Sequence, residues 1–255
     1  MVSTISAIKD GATSASKGDY ASYDLIAREY YDRGAHPTCF NFNRLSRLYI
    51  AERFPEPWGK TPVIEVGAGD SAVASLLHSR GYSLDGLQIT DASPEMLAHS
   101  RRWCSEGAST TVCPAQDLSA NDESYATVVS SLGDPYNTPS FWKEANRVLI
   151  LGGKLIFTTP SFEWSHRFRS PAAQHSAEFV VSGRHSLKLP SFILPLAAQV
   201  EMMEVAGFSL VHFASLGVNR LHSLESVSPK LTVFEEVSYS VVWGFELVKR
   251  LRLLR

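Results

Sequence analysis

The segment Val63-Ile64-Glu65-Val66-Gly67-Ala68-Gly69-Asp70-Ser71 constrains this chain more than any other. A short strand-favouring run meets two glycines, and a helix-compatible stretch follows. The glycines let the backbone turn sharply and let a ligand come close to the main chain. Asp91 stands 22 residues beyond Gly69, at the end of the next apolar run. A carboxylate at about 20 residues' distance commonly accepts hydrogen bonds from ribose hydroxyls, and it has room for both members of a diol. Strand, glycine turn, helix and trailing acid predict an α/β sheet that holds a nucleoside-containing ligand at its first crossover.

The alternation continues along the chain. Residues 71–80 and 94–104 read as helices, the second capped by Ser93. Residues 83–90, 110–113 and 125–131 read as strands. A helix over 140–149 closes at Gly152-Gly153, and a strand over 154–159 follows. Later, 196–205 reads as a helix ending at Gly207, with closing strands over 208–216 and 237–248. Apolar strand interiors separated by helices call for a mostly parallel sheet covered on both faces. Ahead of the sheet, Tyr23, Leu25, Ile26, Tyr30 and Tyr31 fall near helical spacing, as do Leu45, Leu48, Tyr49 and Ile50. Gly34-Ala35-His36-Pro37-Thr38 turns the chain between them. The expected organisation is a loose leader over 1–19 and one domain over 20–255. Within that domain, 20–54 forms a helical cap and the aperiodic stretch 160–195 an inserted lid.

Composition removes several function classes. Hydrophobic residues at 44% supply a core, and a net charge of −2 without a basic stripe argues against nucleic acid. Cys39, Cys104 and Cys113 lack the spacing of a disulfide framework or a zinc site, which fits a reducing compartment. No two histidines have metal-ligand spacing, so no metal is expected. No apolar run approaches the roughly 20 residues of a membrane span. The start shows no basic region leading into an apolar run, so a cytoplasmic protein is expected. The basic, leucine-interleaved residues 249–255 read as a solvated end or a small contact in a homodimer.

Together these motifs resemble the class I S-adenosylmethionine-dependent methyltransferases. Val63–Gly69, with Glu65 two places before the first glycine, is similar to the family's first motif. Residues 87–97 are similar to its second strand and next helix, 125–131 to its fourth strand, and 145–155 to the helix and glycine turn before its fifth. The resemblance implies a Rossmann-like, seven-stranded, mostly parallel sheet with helices on both faces and an antiparallel last strand. It implies S-adenosyl-L-methionine as cofactor, with Glu65 and the backbone of Gly67, Ala68 and Gly69 at the methionine part. Asp91 would hold the ribose, Ala92 and Met96 would flank the adenine, and Gln116, Asp117 and Leu118 would lie at its edge. Pro114 departs from the acidic residue common in the family, which moves the adenine contact to Gln116 or Asp117. Ser131 and Leu132 would line the cofactor near its sulfur, with Tyr23, Tyr30 and Tyr31 capping the site.

Methyl transfer to oxygen, nitrogen or carbon is an in-line displacement that asks mainly for alignment. A general base helps only where the acceptor must lose a proton. His36 and Asp134 are the candidates for acceptor chemistry, and Trp164 and His166 are candidate lid residues. Asp134-Pro135-Tyr136 otherwise reads as a turn. Aromatic residues of 160–195 (Phe162, Trp164, Phe168, Phe179, Phe192) favour a small acceptor with an apolar or aromatic body. Two other readings stay open. Gly67, Gly69 and Ala72 also satisfy a dinucleotide fingerprint, hence an NAD(P)-dependent oxidoreductase. A non-catalytic binding module with a methyltransferase-like fold is the other.

Overall fold

The computed structural model describes residues 22–55, 61–181, 185–221, 227–232 and 239–251. The leader expected over 1–19 lies outside them. The first long helix, α1 (Pro37–Arg53), starts where Pro37 presets φ for a first helical turn. β1 (Val63–Val66), α2 (Ala72–Ser79), β2 (Leu87–Asp91), α3 (Pro94–Ala98) and β3 (Ser109–Val112) follow. Then come β4 (Tyr125–Ser130), α4 (Pro139–Val148) and the long β5 (Leu149–Pro160). A short α5 (Phe162–Ser165) leads to β6 (Ser176–Val181) and β7 (His185–Pro190). The chain closes with α6 (Leu196–Val205), β8 (Phe208–Leu216), α7 (Pro229–Thr232) and β9 (Val242–Lys249).

Seven strands form one sheet in the order β3-β2-β1-β4-β5-β9-β8. β1 to β5 pair in parallel, and β9 runs antiparallel to both β5 and β8. The order reverses between β1 and β4, which opens a crevice at the carboxyl ends of those strands. Alternation along β1 sends Val63 into one core layer, with Leu45, Tyr49, Val73 and Leu77 of α1 and α2. It sends Ile64 and Val66 into the other, with Phe141 and Trp142 of α4. All four β1 residues are buried, as a central parallel strand requires.

Three expectations change. Residues 23–31 do not continue as a helix. After a helical turn at 22–24 the chain makes successive turns, ended where Asp32 Oδ1 accepts from Gly34 N and Ala35 N. The helix expected over 94–104 breaks at Ala98, and a 3-10 stretch Arg101–Glu106 completes it. Within 160–195, β6 and β7 pair as a separate two-stranded sheet. Among the described residues no helix is long and apolar enough to cross a membrane.

Candidate functional site

The glycine turn leaves β1 at the crevice. Gly67 and Gly69 take φ of +60° and +48°, conformations that side chains with a Cβ rarely adopt. Crowding adds to this. A Cβ on Gly67 would run into the Tyr136 ring, and one on Gly69 into the Tyr31 hydroxyl. Ala68 N donates to Thr90 O at 2.9 Å, so the β1–β2 ladder holds the turn in place. Asp91 then clasps it: Oδ2 accepts from Gly69 N and Oδ1 from Ser93 N, each at 2.9 Å. Burial pushes this carboxyl up to about 6, against the pull of those N–H groups. Each oxygen retains a further lone pair for a ligand.

A cavity of about 60 Å³ lies over the turn, lined among others by Gly67, Ala68, Asp91, Ala92, Met96 and Ser131. Tyr23, Tyr30 and Tyr31 narrow it from the N-terminal segment. The Tyr31 hydroxyl accepts from Asp70 N at 2.8 Å, and its ring packs edge-on to Tyr30. Below the turn, the Tyr136 hydroxyl donates to Val66 O at 2.6 Å.

Tyr23, Tyr30, Leu132 and Pro135 also line a second cavity, of about 480 Å³. Leu132, at the junction, has φ +52°, a strained conformation for a side chain of its size. Its N–H donates to the buried Thr158 Oγ1 at 2.8 Å, which in turn bonds Ser46 Oγ of α1 at 2.7 Å. His36, Trp164 and Phe179 contribute walls. His36 Nε2 faces Glu29 Oε1 at 3.4 Å and its ring meets Phe179 edge-on. Asp134 lies in the wall as well, its carboxyl pushed by burial up to about 6.

Several expected residues lie elsewhere. Glu65 shares its face of β1 with Val63, so it points under α2 and not into either cavity. It is fully buried, accepts from Ser71 Oγ and from Ala72 N at 2.9 Å, and thereby caps α2. Its carboxylate props the glycine turn from behind and is not placed to touch a ligand. Gln116, Asp117 and Leu118 do not line the first cavity; Ala115 takes that position. Leu118 is packed in the core, where its N–H donates to Glu144 Oε1. His166 is exposed, stacked on Phe162 outside the second cavity. Phe162, Phe168 and Phe192 also lie outside it, and Phe179 lines it. The sequence reading missed Tyr136, Asn43, Arg169 and Ser191. Tyr136 was within reach, because an aromatic beside a turn at a strand end tends to be packed under that turn. The other three carry no local pattern.

Residues 64–157 match the model of a methyltransferase domain. That segment is similar to a methyltransferase domain, and the whole chain has the Rossmann-like fold of such proteins. Solved structures agree in fold. An S-adenosylmethionine-dependent methyltransferase from Mesorhizobium loti is 14% identical, with TM-score 0.57, over 80% of this chain and 97% of its own. The 1,6-didemethyltoxoflavin-N1-methyltransferase of Burkholderia thailandensis, solved with its acceptor and S-adenosylhomocysteine, is also 14% identical. It has TM-score 0.53 and covers 94% of this chain and 92% of its own. A cyclase, SpnF, has TM-score 0.63 at 14% identity, over 93% of this chain and 97% of its own. At these identities the likeness establishes the fold alone. No curated protein matches the sequence. The first cavity lies mostly over residues 64–157, closed by Tyr23, Tyr30, Tyr31 and Asn43 from outside them, and the second is built mostly outside them, with Leu132, Asp134 and Pro135 contributed from within.

Proposed function

We propose that this protein is a methyltransferase that binds S-adenosyl-L-methionine over the glycine turn and methylates a small molecule held in the second cavity. One observation carries the reading. The two cavities meet at Tyr23, Tyr30, Leu132 and Pro135, directly beside a glycine turn fastened to the Asp91 carboxylate. Residues and cofactor are compatible: main chain without Cβ atoms faces the first cavity, and Asp91 offers acceptors to a ribose diol. When bound, the cofactor supplies an electrophilic methyl group. Gly67, Ala68 and Asp91 would hold it, while Ala92 and Met96 flank its adenine. Ser131 and Leu132 would face its sulfur end, and the acceptor cavity would exclude water from the transfer.

A space of about 60 Å³ is small against the roughly 300 Å³ or more of a ligand pocket. Binding must therefore move the tyrosine segment outward from the turn. The deciding measurement compares S-adenosylhomocysteine with NADH by thermal shift and calorimetry. A ligand at about 100 times its Kd stabilises by about 2.7 kcal/mol. Stabilisation by S-adenosylhomocysteine alone supports the reading, and stabilisation by NADH alone replaces it with the oxidoreductase. Since a cyclase shares the fold, labelled-methyl transfer to an acceptor panel separates an enzyme from a binding module.

A further inference from the structure

The second cavity joins aromatic walls to one anchored carboxylate. Tyr23, Tyr30, His36, Trp164 and Phe179 present ring surface, and Asp134 stands among them. Asp134 is deep enough for desolvation to act on it, yet it is partly accessible. Since it lines the cavity, its accessible part is cavity wall.

The carboxylate is held in one orientation by a directional chain. Arg169 Nη1 donates to Gln174 O and Ser191 O, each at 2.7 Å, and Nη2 donates to Ser191 Oγ at 2.5 Å. An arginine only donates, so Ser191 Oγ must accept from it and pass its own proton toward Asp134 Oδ2. Phe192 N donates to Asp134 O at 2.7 Å, which ties the same residue to the chain after β7. Arg169 spends these donors on main chain and Ser191, so it orients the acid instead of pairing with it. The remaining charges on the lining, Glu178 and Lys230, are exposed at its rim.

A carboxylate accepts only, so the ligand group opposite it must donate. A hydroxyl could donate too, but a protonated amine donates N–H while carrying the positive charge that both the carboxylate and the aromatic walls attract. We propose that the acceptor of this methyltransferase is an amine on an apolar body, its nitrogen docked on Asp134. The inference rests on the methyl-transfer reading. The ammonium would first lose one proton to solvent, while the Asp134 carboxylate accepts from an N–H that remains and holds the nitrogen in place. The freed lone pair then forms the N–C bond as the donor's C–S bond breaks, its electron pair staying on sulfur.

The test uses the full chain and three probes with one indole body: tryptamine, tryptophol and indole-3-propionate. Binding is followed by calorimetry with S-adenosylhomocysteine present. Tryptamine is expected to bind about tenfold tighter than either partner, the worth of one charge-assisted hydrogen bond. Asp134→Asn should erase that preference while keeping S-adenosylhomocysteine affinity and the melting temperature. Glu178→Gln, at the rim, should keep the preference. Equal or tighter binding of the alcohol or acid, no binding of tryptamine, or a preference that survives Asp134→Asn would overturn the amine assignment. Failure of S-adenosylhomocysteine to bind would instead overturn the cofactor reading. Should Asp134→Asn not fold, Ser191→Ala serves in its place, because it frees the carboxylate without removing it and should weaken the preference.

Discussion

At the scale of single residues, Asp91 stands where the sequence suggests and Glu65 does not. Both are acids at strand ends, but Glu65 lies under α2 and Asp91 opens to the cavity. Burial raises the Glu65 carboxyl from its usual 4.5 to about 7. The folded state thus keeps a proton that the unfolded chain gives up above about 4.5. The stability tied to this group is full below that pH, falls as pH rises toward 7, and stays lost above. The shift corresponds to about 3 kcal/mol. Glu65→Gln cannot ionise, so urea titrations from pH 5 to pH 8 should show the variant gaining on wild type by about 2–3 kcal/mol. Parallel profiles would mean an unperturbed carboxyl. Asp91→Asn should cost about 10- to 100-fold in S-adenosylhomocysteine affinity, the loss of a charged acceptor. Wild-type affinity should itself fall as pH drops through about 6 and Asp91 takes up a proton. Gly67→Ala acts differently. Its Cβ meets Tyr136, not a ligand, so the first effect is on folding, a loss of about 2 kcal/mol or more by chemical denaturation.

At the scale of elements, the sheet strands and the helices that cross between them were legible because each one satisfies a local rule. β1 is uniformly apolar apart from Glu65, Ser93 caps α3 through Met96 N, and Gly207 ends α6 at positive φ. That Tyr23, Tyr30 and Tyr31 cap the site is what the resemblance implies and they do line the first cavity, but the backbone form of that cap was not legible. Tyr23, Tyr30 and Tyr31 match helical spacing, yet Asp32 stops the chain locally and the rings meet through tertiary packing. Arg169 and Ser191 act on Asp134 from 35 and 57 positions away, and no periodicity encodes such a pairing. Thr158 shows what holds the elements at the site. Its hydroxyl serves Leu132 N and Ser46 Oγ and so joins β5, the end of β4 and α1. Thr158→Val keeps the shape but leaves the buried Leu132 N–H without its acceptor, while Ser46 Oγ keeps its bond to Ser131 Oγ at 2.7 Å. It should cost about 1–3 kcal/mol in denaturant unfolding, and S-adenosylhomocysteine binding should weaken as Leu132 relaxes from its strained φ. An unchanged midpoint would show that the strain at Leu132 is carried elsewhere.

At the scale of the whole molecule, a sheet joined by strand ladders carries the glycine turn, and a segment without ladder bonds, anchored by the buried Ile26 and Ala27, covers it. The strands around the turn are joined by continuous ladders. The segment over 22–36 is joined to the turn's side by side-chain contacts: Tyr31 Oη with Asp70 N and its ring with His99, His99 Nε2 with Ala27 O, and Asp24 Oδ1 with Ser93 Oγ and Glu95 N. Such a division lets the part around Tyr30 and Tyr31 move at the mouth of the first cavity while Ile26 stays packed. The closed arrangement competes with the ligand, so the apparent affinity is reduced by the fraction of molecules that are open. Tyr31→Phe removes the hydroxyl by which this segment holds the backbone after the glycine turn. Loss of a hydrogen bond worth about 0.5–1.5 kcal/mol raises the open population about two- to tenfold. Stopped-flow mixing with S-adenosylhomocysteine should show the association rate rising by that factor, with the melting temperature of the sheet domain nearly unchanged. A slower or equal rate would mean that the tyrosine assists entry and that the narrow cavity opens by another route.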